Sequence, residues 1–194
     1  LGATLWSVFF LVPVGRGTVL DPIAPERADD VMEWLLDQAS DREFGIKTTE
    51  APQYRRVAAQ TMRGRDPTAA PDDDEVGRRT GIRAGKGFAF VSHLGEVYPS
   101  GFLPESAGSV RERSIVDIYR DSDLFTRLRD EANLVGKCGA CEFRTVCGGS
   151  RSRAYAHTGD PFESDPLCPY VPEDYDGTVP GPGWADRDEP ITGD

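Results

Sequence analysis

The sequence predicts an α/β fold in two parts: strands and helices of a parallel sheet, followed by a smaller α+β unit that carries a β-hairpin and a metal site. Three observations lead to this prediction. Strand-like and helix-like segments alternate over the first 63 residues, an order typical of parallel sheets. A hairpin pattern follows near the middle of the chain, and all four cysteines fall between residues 138 and 168. The 194 residues have room for one ordinary domain, or for one domain and part of another.

The first part contains two strand–helix pairs. Residues 5–12 (LWSVFFLV) are dense in aromatic and β-branched types, which predicts a buried strand, and the turn PVGRG follows it. Apolar residues at helical spacing predict a helix that has Pro25 in its first turn and ends near Ser40. Residues 44–49 predict a second strand, and residues 54–62 a second helix.

The pattern changes after the second helix. Residues 63–86 combine Gly, Pro, Arg and the run DDDE with almost no large apolar side chain, so we expect a solvated, mobile linker. The segments FAFVS and EVYPS then flank the tripeptide HLG, which predicts a β-hairpin. Two short helices follow, SIVDIY and LFTRLRDEA, the second with Ser122 as its N-cap. The tail from Pro172 is rich in Pro, Gly and Asp and is expected to be disordered.

The charge of the chain excludes some classes of partner and indicates a source. A net charge of -11 argues against a general affinity for nucleic acid or for anionic membranes. Asp outnumbers Glu 20 to 13 and Arg outnumbers Lys 19 to 3. This bias is typical of a halophilic archaeon, and a GC-rich genome is the alternative explanation. The N-terminus lacks a signal-peptide pattern, so a cytoplasmic location is expected. The chain starts with Leu at the edge of a strand, which indicates a fragment of a longer protein.

The cysteine spacing C-x2-C-x5-C-x20-C allows three interpretations. Two disulfides would suit an oxidising compartment rather than the cytoplasm. A structural zinc site usually pairs two C-x2-C units, and only the first pair fits. An iron–sulfur cluster is larger than one ion, so its thiolates come from more widely separated positions, as these do. Gly139, Gly148 and Gly149 would let the backbone approach such a cluster. The spacing favours the cluster, with zinc and disulfides as the alternatives.

Beyond the spacing, residues 81–172 resemble the C-terminal extension of radical SAM enzymes of the SPASM/twitch type. The resemblance lies in the blocks GKGFAFVSHLGEVYPSGFLP, AGSVRERSIVDIYRDSDLFTRLRD, CGACEFRTVCGGSRSRAYAHTGD and DPLCPY. It implies that residues 1–63 are the last strands and helices of a partial (β/α) barrel. Residues 64–80 would then be a linker, residues 81–172 the domain that holds an auxiliary cluster, and residues 173–194 a tail.

The resemblance also implies a set of ligands for one auxiliary [4Fe–4S] cluster: Cys138, Cys141, Cys147 and Cys168. Full members of the family hold a second auxiliary cluster. Here Arg151 stands where the fourth cysteine of the run would fall, and Ser100 stands in place of the hairpin cysteine. In having ligands for one auxiliary cluster, the chain resembles the haem-biosynthesis branch of the family, whose members modify tetrapyrrole side chains. Other branches modify peptides.

One part of the family pattern is missing from this chain. The catalytic motif C-x3-C-x2-C, which binds a cluster and S-adenosylmethionine, is absent, since no cysteine precedes residue 138. We therefore expect the second [4Fe–4S] cluster and S-adenosylmethionine in the full-length protein, and no activity from this chain alone. A ferredoxin or flavodoxin is the expected electron donor. A non-enzymatic module that binds zinc through the four cysteines remains the alternative from a different class.

Several other residues are candidates for ligand contacts. Arg16, in the turn after the first strand, could hold the carboxylate of S-adenosylmethionine or of the substrate, or could be an ordinary turn residue. Arg151, Arg153 and Tyr155 follow the first three cysteines and could lie near the cluster or the substrate, or on a solvated helix face. His93 and His157 are expected to be structural.

Overall fold

The computed structural model describes residues 2–65 and 82–178. These residues form two two-stranded sheets and six α-helices, a mixed α/β architecture that agrees with the predicted class in its coarse outline. Strands β1 (Leu5–Phe9) and β2 (Gly45–Thr49) pair in parallel, in a register that places Leu5 opposite Gly45 and Phe9 opposite Thr49. Parallel pairing requires a crossover connection, which here contains a helix, as is usual.

Helix α1 (Pro25–Asp41) makes this connection, and α2 (Gln53–Arg65) follows β2. Pro25 lies in the first turn of α1, and Ala28, Met32 and Leu35 are buried at helical spacing, so the sequence prediction for α1 is confirmed. Between β1 and α1 the predicted turn is a short 3-10 helix, Gly15–Val19.

The second part begins with the predicted hairpin. Strands β3 (Phe90–Val91) and β4 (Val97–Tyr98) are antiparallel. Helices α3 (Ile115–Asp121) and α4 (Asp123–Arg129) follow, with Ser122 at the N-cap position of α4 as predicted, although its side chain makes no capping hydrogen bond. A 3-10 helix (Glu131–Asn133) then leads into the cysteine region, which contains α5 (Gly136–Ala140) and α6 (Arg151–Thr158).

Three clusters of buried apolar side chains stabilise the described residues. The first joins the parallel strands and α1 to the cysteine region through Leu167, and the other two lie beneath the hairpin and the short helices. Their members are Phe10, Ala28, Met32, Ala51, Val57 and Leu167; Ala84, Leu103, Leu128, Leu134, Cys138 and Phe162; and Val97, Ile118 and Phe125.

Two sequence predictions are wrong in detail. Strand β1 is not buried: Leu5 and Phe9 are 56% and 67% exposed, because the described residues leave their face of the two-stranded sheet uncovered. Phe10 and Val12, beyond the end of the strand, are buried. The predicted linker is not solvated throughout, since Arg83 and Ala84 are buried. Most of the linker and residues 179–194 of the tail lie outside the described residues. No helix in the described ranges is long and apolar enough to cross a membrane.

Candidate metal centre

The four cysteines line a single cavity. Helix α2 contributes Gln53 and Arg56 to the same wall. Cys138 and Cys147 are buried, Cys141 and Cys168 are partly buried, and all four are free thiols, so the structure contains no disulfide between them. Four thiols around one space form a donor set suited to iron or zinc.

Short turns place the thiols around this cavity. Cys138 lies in α5 and Cys141 directly follows that helix. The backbone then turns, with the Cys147 N–H donating to the carbonyl oxygen of Phe143 at 2.8 Å. Cys168 lies in a later turn, closed by a hydrogen bond from its N–H to the carbonyl oxygen of Asp165 at 3.2 Å.

Of the three glycines predicted to approach the sulfurs, Gly149 has a hydrogen bond to a sulfur, whereas a Cβ at Gly139 or Gly148 would meet Leu134 or Arg83 and Arg144 instead. Gly148 and Gly149 both have positive φ, 64° and 63°. The Gly149 N–H donates to the Cys147 Sγ at 3.5 Å, and a Cβ at Gly149 would lie 3.0 Å from the Cys138 Sγ. A residue with a side chain would therefore both strain the backbone and clash with the thiol.

Two further donors reach the Cys138 sulfur. The main-chain N–H of Asp165 lies 3.5 Å from the Sγ, and the Nη2 of Arg151 lies 3.3 Å from it. Hydrogen bonds of this kind stabilise a negatively charged sulfur and are one of the means by which a protein adjusts the potential of an iron–sulfur cluster.

Burial raises the pKa of three of the thiols, those of Cys141, Cys147 and Cys168. The pKa of Cys141 rises to about 11 and that of Cys168 to about 12, from the ordinary value of 9.0, and burial also raises the pKa of Cys147. Without a metal these thiols are protonated at neutral pH. Metal binding must displace their protons, because only the thiolate is a ligand.

The spacing of the possible ligands bears on the kind of metal group. Within residues 2–65 and 82–178, no three Cys, His, Asp or Glu side chains lie close enough together to surround one metal ion. A single tetrahedral zinc would draw its four sulfurs to within about 2.3 Å of one point. Four thiols that share one cavity without closing around one point fit a cluster of several metal atoms better than a single ion.

Asp165 is the polar centre of the cavity wall. Its fully buried carboxylate accepts hydrogen bonds from the Gln53 side chain, from the main-chain N–H of Ser150 at 2.6 Å, and from Arg153 at 3.0 Å. Because Gln53 lies on α2, Ser150 caps α6 and Arg153 lies within α6, one side chain holds both helices beside the thiols. The sequence analysis did not identify this residue, and no local pattern marks it.

Glu50 joins the end of β2 to the cysteine region. Its carboxylate accepts hydrogen bonds from the hydroxyls of Ser150 at 2.5 Å, Ser100 at 3.3 Å and Ser152 at 3.4 Å. Its φ of 55° is the one positive value among the described non-glycine residues, a strain that persists only where surrounding contacts enforce it. Sequence analysis missed Glu50 too, because its partners are 50 to 102 residues away.

The predicted ligand-contact residues have different surroundings. Arg151 touches a cysteine sulfur, whereas Arg153 is buried in an ion pair with Asp165 and donates to the carbonyl oxygen of Leu11 at 3.1 Å. Tyr155 packs against the second apolar cluster. Arg16 is exposed and is not part of the cavity lining, so a role in binding S-adenosylmethionine stays a prediction. His93 is exposed in the hairpin turn, and His157 is partly buried.

Comparison with known proteins gives close matches along most of the chain. It is 40% identical over 180 residues to an AdoMet-dependent heme synthase of Methanosarcina barkeri and 37% identical over 175 residues to one of Nitratidesulfovibrio vulgaris, each match covering 89% of the chain. Shorter matches, over 45% of the chain, reach a pre-heme d1 synthase of Dinoroseobacter shibae at 37% identity and a PqqA peptide cyclase of Bradyrhizobium diazoefficiens at 36%. No family model matches the sequence.

These matches confirm the class that the cysteine blocks indicate: the chain is related to radical SAM enzymes of the SPASM type. Within this class, the relatives that match over 89% of the chain all carry one name, AdoMet-dependent heme synthase. The chain spans about half the length of these relatives, 50% in the Methanosarcina protein and 48% in the Nitratidesulfovibrio protein.

Proposed function

We propose that Cys138, Cys141, Cys147 and Cys168 hold one [4Fe–4S] cluster. The observation that carries this proposal is the convergence of all four thiols on one cavity, although Cys138 and Cys168 are 30 positions apart in the sequence. Main-chain N–H groups directed at two of the sulfurs support it further. With four protein ligands the cluster has no open iron position for a substrate, so its chemistry is electron transfer.

We further propose that the whole protein is a radical SAM enzyme that modifies a tetrapyrrole side chain in haem biosynthesis, for example by oxidative decarboxylation. Such a reaction leaves a substrate radical that must lose one electron, and an auxiliary cluster is suited to accept it. Support comes from the relatives named AdoMet-dependent heme synthase. The cluster that cleaves S-adenosylmethionine would be bound outside this chain, and the electron donor would be a ferredoxin or flavodoxin.

The domain arrangement is part of the same proposal. Residues 1–63 would end a partial (β/α) barrel and residues 81–172 would form the auxiliary-cluster domain. The parallel pairing of β1 with β2 across α1 is consistent with a barrel segment. In this arrangement Glu50, at the carboxyl end of β2, would face the side of the barrel where substrates bind.

The second candidate function is modification of a peptide. The matches to PqqA peptide cyclases favour it, but they cover 45% of the chain against 89% for the heme synthases. Incubating the full-length protein with S-adenosylmethionine and a reductant, with a tetrapyrrole in one reaction and a short peptide in another, separates the two candidates. Loss of carbon dioxide from the tetrapyrrole alone would support our proposal, and a mass change of the peptide alone would overturn it.

The metal content of the protein tests the cluster directly. After anaerobic purification and reconstitution we expect about four irons and four sulfides per chain. Cys147→Ala should lose most of both. Val97→Ala truncates another fully buried side chain, in the hairpin, and should retain them. A result of one zinc and no sulfide per chain would overturn the cluster proposal and support a zinc-binding module instead.

A further inference from the structure

The buried charges of the described residues are mostly positive. Three of the buried cations have a carboxylate partner: Arg153 pairs with Asp165 at 3.0 Å, Arg56 with Asp29 at 2.6 Å, and Arg83 with Glu131 at 2.9 Å. The remaining two have no carboxylate partner within residues 2–65 and 82–178; they are Arg151, which is fully buried, and Lys137, which is 4% exposed.

Both unpaired cations lie against the cysteines. Arg151 donates through Nη2 to the Cys138 Sγ at 3.3 Å, and its Nη1 reaches the carbonyl oxygens of Pro161 at 2.8 Å and Glu163 at 2.7 Å. Lys137 donates from Nζ to the carbonyl oxygen of Cys168 at 2.6 Å and lines the cavity. These bonds satisfy donors but supply no negative charge.

A buried charge without a counterion is costly, so these two positions require a negative group nearby. Four thiolates around an iron–sulfur core carry a net charge of about -2 when the cluster is oxidised and about -3 after it takes up one electron. Two fixed cations therefore offset the charge of the oxidised form and attract the reduced form still more strongly.

We propose that Arg151 and Lys137 are the fixed counter-charges of the cluster and raise its reduction potential, which makes it a better electron acceptor. The inference rests on the proposed function, because it requires the cluster. Arg151 has the larger effect, since its guanidinium touches a ligand sulfur, whereas Lys137 acts from a neighbouring carbonyl group. Both are positioning residues: they act on the potential and touch no substrate.

A redox titration of the reconstituted protein, followed by electron paramagnetic resonance, tests the proposal. Arg151→Gln and Lys137→Gln should each lower the midpoint potential, with the larger shift for Arg151→Gln. Arg151→Lys and Lys137→Arg keep the charge, so their midpoint potentials should stay close to that of the unchanged protein. Arg129→Gln is the matched control, because Arg129 also donates to main-chain carbonyl oxygens, those of Tyr119 and Arg120, but contacts no cysteine. Its potential should equal that of the unchanged protein.

Iron and sulfide analysis of each variant separates the possible failures. A full cluster with an unchanged potential in both glutamine variants overturns the proposal and leaves the proposed function intact. Zinc in the unchanged protein overturns both. If the glutamine variants lose the cluster while the charge-keeping variants retain it, the counter-charge is needed for assembly, which supports the proposal. Loss of the cluster in the charge-keeping variants as well would assign these residues a packing role and overturn it.

Discussion

Asp165 and Arg153 form an ion pair in which both side chains are fully buried. Such a pair contributes little net stability by itself, because both charges give up their hydration. What it provides here is position. Arg153 also donates to the carbonyl oxygens of Leu11 and Glu50, and the Asp165 N–H reaches the Cys138 sulfur. The pair therefore fixes the thiols relative to the ends of β1 and β2.

The close approach of Gly149 to the thiols gives a prediction about a single residue. Gly149→Ala places a Cβ at positive φ, 2.5 Å from the Arg151 Nη2 and 2.8 Å from the Asp165 Cβ. The backbone strain costs about 1–2 kcal/mol, and overpacking adds about 1–3 kcal/mol. We expect a free energy of unfolding lower by the sum of the two, together with loss of iron, measured by denaturant unfolding and metal analysis.

Gly159→Ala is the matched control for this prediction. Gly159 also has positive φ, 80°, but a Cβ there would have no neighbour within 4 Å. It should cost only the backbone strain of about 1–2 kcal/mol and leave the iron content unchanged. Equal losses of stability in the two variants would show that the approach of Gly149 to the sulfurs does not constrain the site.

At the scale of elements, the sequence predicts the helices, turns and motifs that are determined by residues close together in the chain. The apolar spacing and Pro25 define α1, and the turn residues between two β-rich segments define the hairpin. The cysteine spacing, also local, predicts the members of the site. The burial of β1 could not be predicted in this way, because it depends on what covers the strand. Nor could Asp165 and Glu50, whose partners Gln53 and Ser150 are 112 and 100 positions away.

The N-cap of α6 gives a prediction at this scale. The Ser150 Oγ accepts the Arg153 N–H at 3.1 Å and also donates to the Glu50 carboxylate. Ser150→Ala removes the cap, at about 1 kcal/mol, and leaves a partly buried carboxylate without one donor, at about 1–3 kcal/mol more. We expect a loss of unfolding free energy of about 2–4 kcal/mol, measured by denaturant unfolding.

Ser114→Ala separates the two contributions. Ser114 caps α3 by accepting the Asp117 N–H at 3.3 Å, at an exposed position. This variant should lose only the capping contribution, about 1 kcal/mol. If Ser150→Ala costs no more than Ser114→Ala, the contact between Glu50 and α6 does not hold the parallel strands against the cysteine region.

At the scale of the whole molecule, the charges are unevenly distributed. The chain has a net charge of -11, yet the buried charged side chains of the described residues are mostly positive. Five are cations and one is a carboxylate: Arg56, Arg83, Lys137, Arg151, Arg153 and Asp165. A positive interior beneath an acidic surface is consistent with a site that binds an anionic group. This distribution of charge also couples folding to metal binding. Protonated thiols are neutral and offset none of the buried positive charge, whereas metal-bound thiolates would offset it.

This coupling predicts how the stability of the metal-free protein depends on pH. Burial raises the pKa of Cys168 to about 12 and that of Cys141 to about 11, whereas both have the usual value of 9.0 in the unfolded chain. Above pH 9 the unfolded chain therefore loses thiol protons that the folded chain retains, so it binds fewer protons and stability falls as the pH rises. We expect the free energy of unfolding to decline from about pH 9 to pH 12.

Comparison with Cys168→Ala isolates the thiol from the other groups that titrate in this range. The variant lacks the buried thiol with the more strongly raised of the two pKa values, so its unfolding free energy should decline less steeply between pH 9 and pH 12. In the metal-loaded protein the thiols are already ligated thiolates, and their contribution to the decline should disappear. Parallel curves for the metal-free protein and the variant would mean that Cys168 is hydrated in the folded state. The cavity would then be open to water rather than closed around the group that it is proposed to hold.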